Sequence, residues 1–104
     1  MNLEHELALY DAALSTWGVA LQGMMLAEEC AELGAATMQW LRGRKDVDDL
    51  LQEMVDVDIM LGQIRRAIND ESRWERWRDW KLERLKNRLP EEALQEYAAK
   101  VVQP

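Results

Sequence analysis

The chain has 104 residues, with 20 acidic and 13 basic side chains and a formal net charge of −7 at neutral pH. This length suits one compact domain, predicted over residues 1–104, and the acidic balance excludes nucleic acid as an expected partner, since phosphate backbones require a basic footprint. No apolar run reaches the roughly 18 residues of a membrane span and the N-terminus has no leader pattern, so we expect a cytoplasmic protein without membrane contacts.

Apolar residues recur at helical spacing along nearly the whole chain, which contains only two prolines. We predict helices over about residues 3–15, 19–42, 46–68 and 73–89, and a short fifth helix that opens at Pro90. Gly18 and Gly43 are expected to end the first two helices, and Asp46 to cap the third. The sequence therefore predicts an all-α fold.

The second predicted helix carries carboxylates on an otherwise apolar surface. At about 100° per residue, one face collects four apolar side chains: Met25, Leu33, Ala36 and Trp40. Glu29 projects from the middle of that face, Glu32 lies at its edge, and Glu28 points further towards solvent. An ionised carboxylate in an apolar stripe is costly unless it is paired or bound to metal. Cys30 is expected to be a reduced, buried thiol.

The third predicted helix has a broad apolar stripe and further apolar groups on its other sides. We therefore expect it to be buried nearly all round. Glu53 flanks the stripe, Asp56 lies one step further round, and Asp58 falls on the opposite flank. None of these three acids has an evident solvent-facing side in the sequence pattern.

Acids three residues apart on a helix point the same way, which pairs Glu29 with Glu32 and Glu53 with Asp56. Two such pairs on facing antiparallel helices supply four oxygen donors, which suits Mg²⁺ or Mn²⁺. Two ordinary charged helix faces are the alternative. A di-iron carboxylate site is excluded, because it needs two Glu-x-x-His pairs and the only histidine is His5.

These residues carry a resemblance to a known family. The segment 28–32, EECAE, followed by 53–56, EMVD, resembles the EExxE…ExxD signature of MazG-like all-α nucleoside triphosphate pyrophosphohydrolases. Trp17-Gly18, Gln22 and the segments 42–44, 57–61 and 81–85 are similar to the small, phage-type branch of that family. The resemblance covers about residues 10–90.

The resemblance implies an antiparallel bundle of four main helices plus a short C-terminal helix, assembled as a homodimer or homotetramer. It implies Mg²⁺-dependent hydrolysis of NTPs or dNTPs to the monophosphate and pyrophosphate, as in nucleotide-pool housecleaning. The catalytic metal ligands it implies are Glu29, Glu32, Glu53 and Asp56. Two further acids have open roles. Asp58 either supports the ligands or hydrogen-bonds within the bundle, and Glu28 is either a supporting neighbour or a solvated side chain.

The fourth predicted helix combines basic and aromatic residues. Lys81, Arg84 and Arg88 recur at helical spacing and can reach phosphate oxygens, or they can form a solvated basic face. The tryptophans of this helix can stack on a base, but packing or a subunit interface is favoured. This helix, and Gln39 where several relatives carry lysine, support an alternative function. The chain would then be a non-catalytic nucleotide-binding or protein-interaction module that keeps the same fold.

Overall fold

The computed structural model describes residues 1–102, which form four α-helices and no β-strand. The helices are α1 (Leu3–Leu41), α2 (Val47–Ile68), α3 (Glu71–Asn87) and α4 (Glu91–Val101). The predicted all-α class is confirmed. None of these helices combines the length and the apolar composition that crossing a lipid bilayer requires.

A break at Gly18 divides α1 into two straight segments, residues 3–17 and 19–41. Gly18 has φ 84° and ψ 154°, a left-handed backbone that glycine tolerates because it lacks a Cβ. The sequence predicted two separate helices here. The non-helical backbone at Gly18 separates the two segments as predicted, and because helical geometry resumes directly after it, they follow one another as a kinked helix.

Capping residues determine where α2 begins and ends and where α3 begins. Asp46 and Asp49 form a capping box at the start of α2, in which each backbone N–H donates to the other side chain, at 3.2 and 2.9 Å. Asn69 ends α2 with a left-handed φ of 55°. Asp70 then caps α3 by accepting from the Arg73 N–H. Because of this cap, α3 begins two residues before the predicted start at residue 73.

The second segment of α1 runs antiparallel to α2. The Gln22 side chain donates to Gln63 Oε1 at 2.7 Å, and further along α1 Glu29 lies beside Glu53 and Asp56. Contacts therefore occur at increasing residue numbers of α1 and at decreasing residue numbers of α2. This is the antiparallel pairing predicted for the two acid-bearing helices.

The kink brings the first segment of α1 onto the same part of α2. Tyr10 packs against Gly62, one residue from the partner of Gln22. Tyr10 and Gln22 are twelve residues apart, about 18 Å along a straight helix. A straight α1 cannot bring both side chains to neighbouring positions of α2, so the bend at Gly18 is what allows both segments to pack there.

The core of this helix pair is small and partly polar. The buried residues are Tyr10, Gln22, Ala36, Leu50 and Gln63. Gly62 is required at the close approach, since a Cβ at this position would lie 2.7 Å from Tyr10 Cε2. The absence of a side chain at residue 62 therefore sets how closely α1 and α2 approach.

Several burial predictions are wrong for this chain. The third predicted helix, α2, is not buried all round: the exposed fractions of Leu51 and Val55 are 47% and 53%. The reason is that burial on α2 is confined to the arc between Leu50 and Gln63, which includes the half-buried Val57 and Met60. Asp56 and Asp58 are also exposed, contrary to the expectation that they lack a solvent-facing side.

The thiol of Cys30 is exposed rather than buried. It follows Glu29 on α1, and one residue turns a helix by about 100°. With Glu29 directed towards α2, its neighbour is directed away from the helix pair. The expectation of a buried thiol rested on the apolar surroundings in sequence, and those apolar side chains are themselves largely uncovered.

The chain divides into two compact units after Asn69. The first contains α1 and α2. The second contains α3 and α4, and neither helix has a buried residue. The single domain, the MazG-like bundle and the oligomer stay predictions.

Candidate metal centre

Three carboxylates meet where the second segment of α1 faces α2. Glu29 comes from α1, and Glu53 and Asp56 come from successive turns of α2. One oxygen of each side chain lies within 4.8 Å of the corresponding oxygens of the other two. Glu29 and Glu53 are half-buried, and Asp56 is exposed. These three residues are called the carboxylate cluster below.

Local helix geometry explains the cluster. Glu53 and Asp56 are three residues apart, so their side chains project from the same side of α2. The antiparallel pairing places Glu29 opposite them. Of the four ligands predicted from the sequence, the structure thus brings three together.

Two oxygens of the cluster are shielded from solvent and lack a partner. Glu29 Oε2 and Glu53 Oε2 are buried and accept no hydrogen bond within residues 1–102. The pKa of Glu29 is raised above its ordinary value, first by burial and then by the charges of Glu32 and Asp56. A hydrogen bond with Glu32 and the charge of Glu53 raise it further. Concentrated negative charge is therefore the main electrostatic feature of this site.

The donor set is compatible with a divalent cation. A buried carboxylate without a partner is unfavourable, and a cation or a proton relieves that cost. Mg²⁺ and Mn²⁺ prefer oxygen ligands, and the ligand oxygens of one Mg²⁺ lie about 3 to 4.2 Å apart, inside the 4.8 Å limit within which these three oxygens fall. Acidic groups that are partly exposed are also common without any ion.

The other predicted acids lie outside the cluster. Glu32 is exposed, and it interacts with Glu29 through its charge and a hydrogen bond. Glu28 is also exposed, as the sequence pattern indicated. Asp58 acts elsewhere, because its charge contributes to raising the pKa of Tyr10. Glu32 is thus adjacent to the site, whereas Asp58 belongs to the surroundings of Tyr10.

The predicted phosphate ligands belong to the second unit. Lys81 Nζ lies 5.3 Å from the ring centroid of Trp80, and Arg84 Cζ lies 5.4 Å from it. Trp77 and Trp80 meet edge to face with centroids 6.0 Å apart, and both rings are more than half exposed. Arg88 is the residue that ends α3. Their role as phosphate ligands stays a prediction.

Sequence reasoning missed the contacts that fix the helix pair next to the cluster. Nothing in the sequence pattern marked Tyr10, whose ring lies against Gly62 of α2 and whose hydroxyl donates to Glu6 Oε1 within α1 at 2.5 Å. Gly62, within a helix, was the available signal, since an interior glycine often marks a close approach of two backbones. The hydrogen bond between Gln22 and Gln63 had no local signature.

Surface grooves lie along the described residues of the first unit. One, of about 440 Å³, includes Asp56 of the cluster and is otherwise lined by Asp48, Leu51, Gln52 and Val55. Another, of about 570 Å³, is mainly apolar, and its lining contains no residue of the carboxylate cluster. Of these, the first groove is continuous with the candidate metal centre.

Comparison with protein-family models, with curated proteins and with solved structures found no match to this chain.

Proposed function

We propose that this chain is a Mg²⁺-dependent nucleoside triphosphate pyrophosphohydrolase, which converts NTPs or dNTPs to the monophosphate and pyrophosphate. One observation carries the proposal. Glu29 and Glu53 each keep a carboxylate oxygen that is buried and without a partner, next to Asp56. A site built this way is unfavourable when it stands alone, so its chemistry points to a bound cation. The resemblance of the surrounding sequence to MazG-like enzymes supports the choice of reaction.

In this proposal the cluster holds Mg²⁺, with Mn²⁺ as a substitute. When bound, the ion neutralises triphosphate oxygens and makes a water molecule more acidic. Glu29, Glu53 and Asp56 hold the cation through carboxylate oxygens. Glu32, exposed beside Glu29, orients the attacking water and accepts its proton at the carboxylate.

The groove beside Asp56 is the proposed location of the nucleoside. Leu51 and Val55 offer apolar contacts there, and the Gln52 amide offers one donor group and one acceptor. The exposed cations Lys81, Arg84 and Arg88 of the second unit are the proposed phosphate contacts. Removal of unwanted nucleotides from the cellular pool is the proposed role.

The test is incubation with a panel of NTPs and dNTPs, with and without Mg²⁺, followed by separation of monophosphate and pyrophosphate. We expect both products only with the metal. Glu53→Gln should lower turnover at least about a hundredfold, because metal binding contributes several kcal/mol to such reactions. The matched control is Glu28→Gln, which neutralises a nearby exposed acid outside the cluster and should keep most of the activity.

The proposal is wrong if no nucleotide is cleaved, or if Glu53→Gln turns over as fast as the unmodified chain. A second candidate function then gains weight. The exposed rings of Trp77 and Trp80 favour a non-catalytic module that binds nucleotides or another protein. Stabilisation by nucleotide plus Mg²⁺ in thermal melts, without hydrolysis, supports that candidate.

We further propose that the chain functions as a homodimer or homotetramer. Exposed apolar side chains of α2 outside the nucleoside groove support this, among them Met54 and Ile59. A contiguous exposed apolar surface usually marks an interaction site. Light scattering at micromolar concentration should give a multiple of the 12.1 kDa chain mass. A monomeric mass contradicts this proposal.

A further inference from the structure

The helix pair contains one buried hydrogen bond between amide side chains. Gln22 and Gln63 are each only 6% exposed, and Gln22 Nε2 donates to Gln63 Oε1 at 2.7 Å. Gln63 Nε2 also lies 3.6 Å from the Met60 sulfur, as a weak donor to it. Leucine at both positions would fill similar space without any polar group. Packing alone therefore does not explain the two amides.

Their position relative to the carboxylate cluster suggests that reason. Gln22 precedes Glu29 by seven residues, and Gln63 follows Asp56 by seven residues. Seven residues are two helical turns, about 10.5 Å. In an antiparallel pair, a contact recurs two turns closer to the C-terminus of α1 and two turns closer to the N-terminus of α2. The amide pair and the cluster are therefore the same helix–helix contact, repeated two turns apart.

Directional contacts set the register of α1 against α2; among them the Asp11–Arg66 ion pair is exposed, whereas the amide pair is buried. Apolar contacts are non-directional and tolerate sliding of one helix along another. The carboxylates repel one another, so their own charges disfavour the register in which they meet. A buried amide loses its partner as soon as the helices slide, and an unpaired buried amide is costly. A single buried polar pair can fix helix register in this way.

We propose that Gln22 and Gln63 are positioning residues, which set the register of α1 against α2 and thereby hold Glu29 opposite Glu53 and Asp56. The inference rests on the proposed function in one respect, namely that the carboxylate cluster binds a divalent cation. The amides touch neither the cation nor the substrate. They act by keeping three mutually repelling ligands together before the cation arrives.

The first test measures Mn²⁺ affinity, from the electron paramagnetic resonance signal of free Mn²⁺, together with melting temperature. Gln22→Leu and Gln63→Leu alone should each lower the melting temperature, because each leaves one buried amide unpaired. The double variant removes both amides and should melt at or above the temperature of the unmodified chain. Its Mn²⁺ affinity should nevertheless be about 10–100-fold weaker, the range typical for loss of residues that orient metal ligands.

The second test reads the register without metal. Spin labels are attached to cysteines replacing the exposed residues Ala35 of α1 and Gln52 of α2, with Cys30→Ser to remove the native thiol. An excess of unlabelled protein suppresses distances between copies. The otherwise unmodified pair should give one narrow distance distribution. Adding the double leucine substitution should broaden that distribution or displace it by up to about 10 Å, the length of two turns.

Asp11→Asn is the matched control, because it weakens a different contact of α1 with α2, the ion pair to Arg66 at 2.8 Å. It should change neither the Mn²⁺ affinity nor the labelled distance. The inference is overturned if the double leucine variant keeps the original distance distribution. It is also overturned if that variant binds Mn²⁺ as tightly as the unmodified chain. Tight Mn²⁺ binding that depends on the amides, without cleavage of any nucleotide, refutes the proposed reaction and leaves the register inference standing.

Discussion

The two ends of the α1–α2 pair differ in whether their polar side chains are hydrogen-bonded. At one end, the Tyr10 hydroxyl donates to Glu6, and Arg66 donates two hydrogen bonds to Asp11, at 2.8 and 3.0 Å. This region, with Gly62 beneath the Tyr10 ring, is called the tyrosine end. The Tyr10 hydroxyl and the Asp11 carboxylate are both hydrogen-bonded here, and the Tyr10 ring lies where a Cβ at Gly62 would project.

At the other end lies the carboxylate cluster. Two of its buried oxygens accept no hydrogen bond, and the charges of neighbouring acids raise the pKa of Glu29. The same pair of helices therefore places satisfied contacts at one end and unsatisfied charge at the other. The tyrosine end stabilises the fold, and the carboxylate end costs stability that a bound cation would return.

The largest expected effect comes from neutralising the carboxylate end. Because the pKa of Glu29 is raised in the folded chain, its contribution favours folding at pH below the ordinary value and is lost as pH rises through the raised pKa. Without metal, the melting temperature should therefore rise as the pH is lowered from 7 towards 5. Glu29→Gln should melt higher than the unmodified chain at pH 7 and show little of that rise.

The same variant should lose the stabilisation that Mg²⁺ gives to the unmodified chain. Glu28→Gln is the control, since it removes one charge from the same turn of α1 without touching the cluster. Melts with and without Mg²⁺ separate the two effects. If Glu29→Gln is less stable than the unmodified chain in metal-free buffer at pH 7, the carboxylate end is not the strained end of the pair.

A smaller effect is expected from crowding the tyrosine end. In Gly62→Ala, the new Cβ would lie 2.7 Å from Tyr10 Cε2, and such overpacking typically costs about 1–3 kcal/mol. The better helix propensity of alanine returns about 0.5–1 kcal/mol. We therefore expect a net loss in the free energy of unfolding, measured by urea denaturation.

Gly34→Ala provides the matched control within α1. A Cβ at Gly34 meets nothing within 4 Å, so only the gain in helix propensity, about 0.5–1 kcal/mol, should be seen. The two glycine variants should thus move stability in opposite directions. If both variants are equally stabilised, the Tyr10 ring can move away from the new Cβ at little cost. The tyrosine end is then not tightly packed.

The sequence was sufficient for the features that local rules control. Helical periodicity gave the all-α class, Asp46 was placed at the start of α2, and Gly18 at the break in α1. The carboxylate spacing also predicted that Glu53 and Asp56 share a side of α2, because positions three residues apart on a helix project the same way. Three of the four ligands predicted from that spacing do come together.

The predictions that failed concern features that depend on which element packs against each helix. Cys30 and most apolar groups of α2 were expected to be buried, but burial requires a covering element that periodicity does not identify. The bend at Gly18 was expected only to end a helix. Its effect, to bring Tyr10 against Gly62, follows from the direction in which the chain leaves the glycine. Contacts between residues far apart in the chain, such as Gln22 with Gln63, leave no trace in a local pattern.

The smallest effect is expected from the titration of Tyr10. Burial, the hydrogen bond to Glu6 and the charges of Glu6 and Asp58 raise the pKa of its hydroxyl to about 12, from 10.0. The unfolded chain then loses this proton near pH 10, whereas the folded chain keeps it. The stabilising contribution is complete below pH 10 and declines between pH 10 and about 12. At pH 11 the chain should unfold at lower urea concentration than at pH 9.

Tyr10→Phe removes the titrating group and should reduce that difference between pH 9 and pH 11, because the other ionisable side chains are the same in both proteins. Absorbance of tyrosinate near 295 nm gives the ionisation directly, as the difference between the two proteins. The tyrosine end is satisfied because its hydroxyl is a neutral donor facing acceptors. If Tyr10 ionises near pH 10 in the folded chain, its hydroxyl is not held by Glu6, and the contrast between the two ends rests on the ion pair of Asp11 alone.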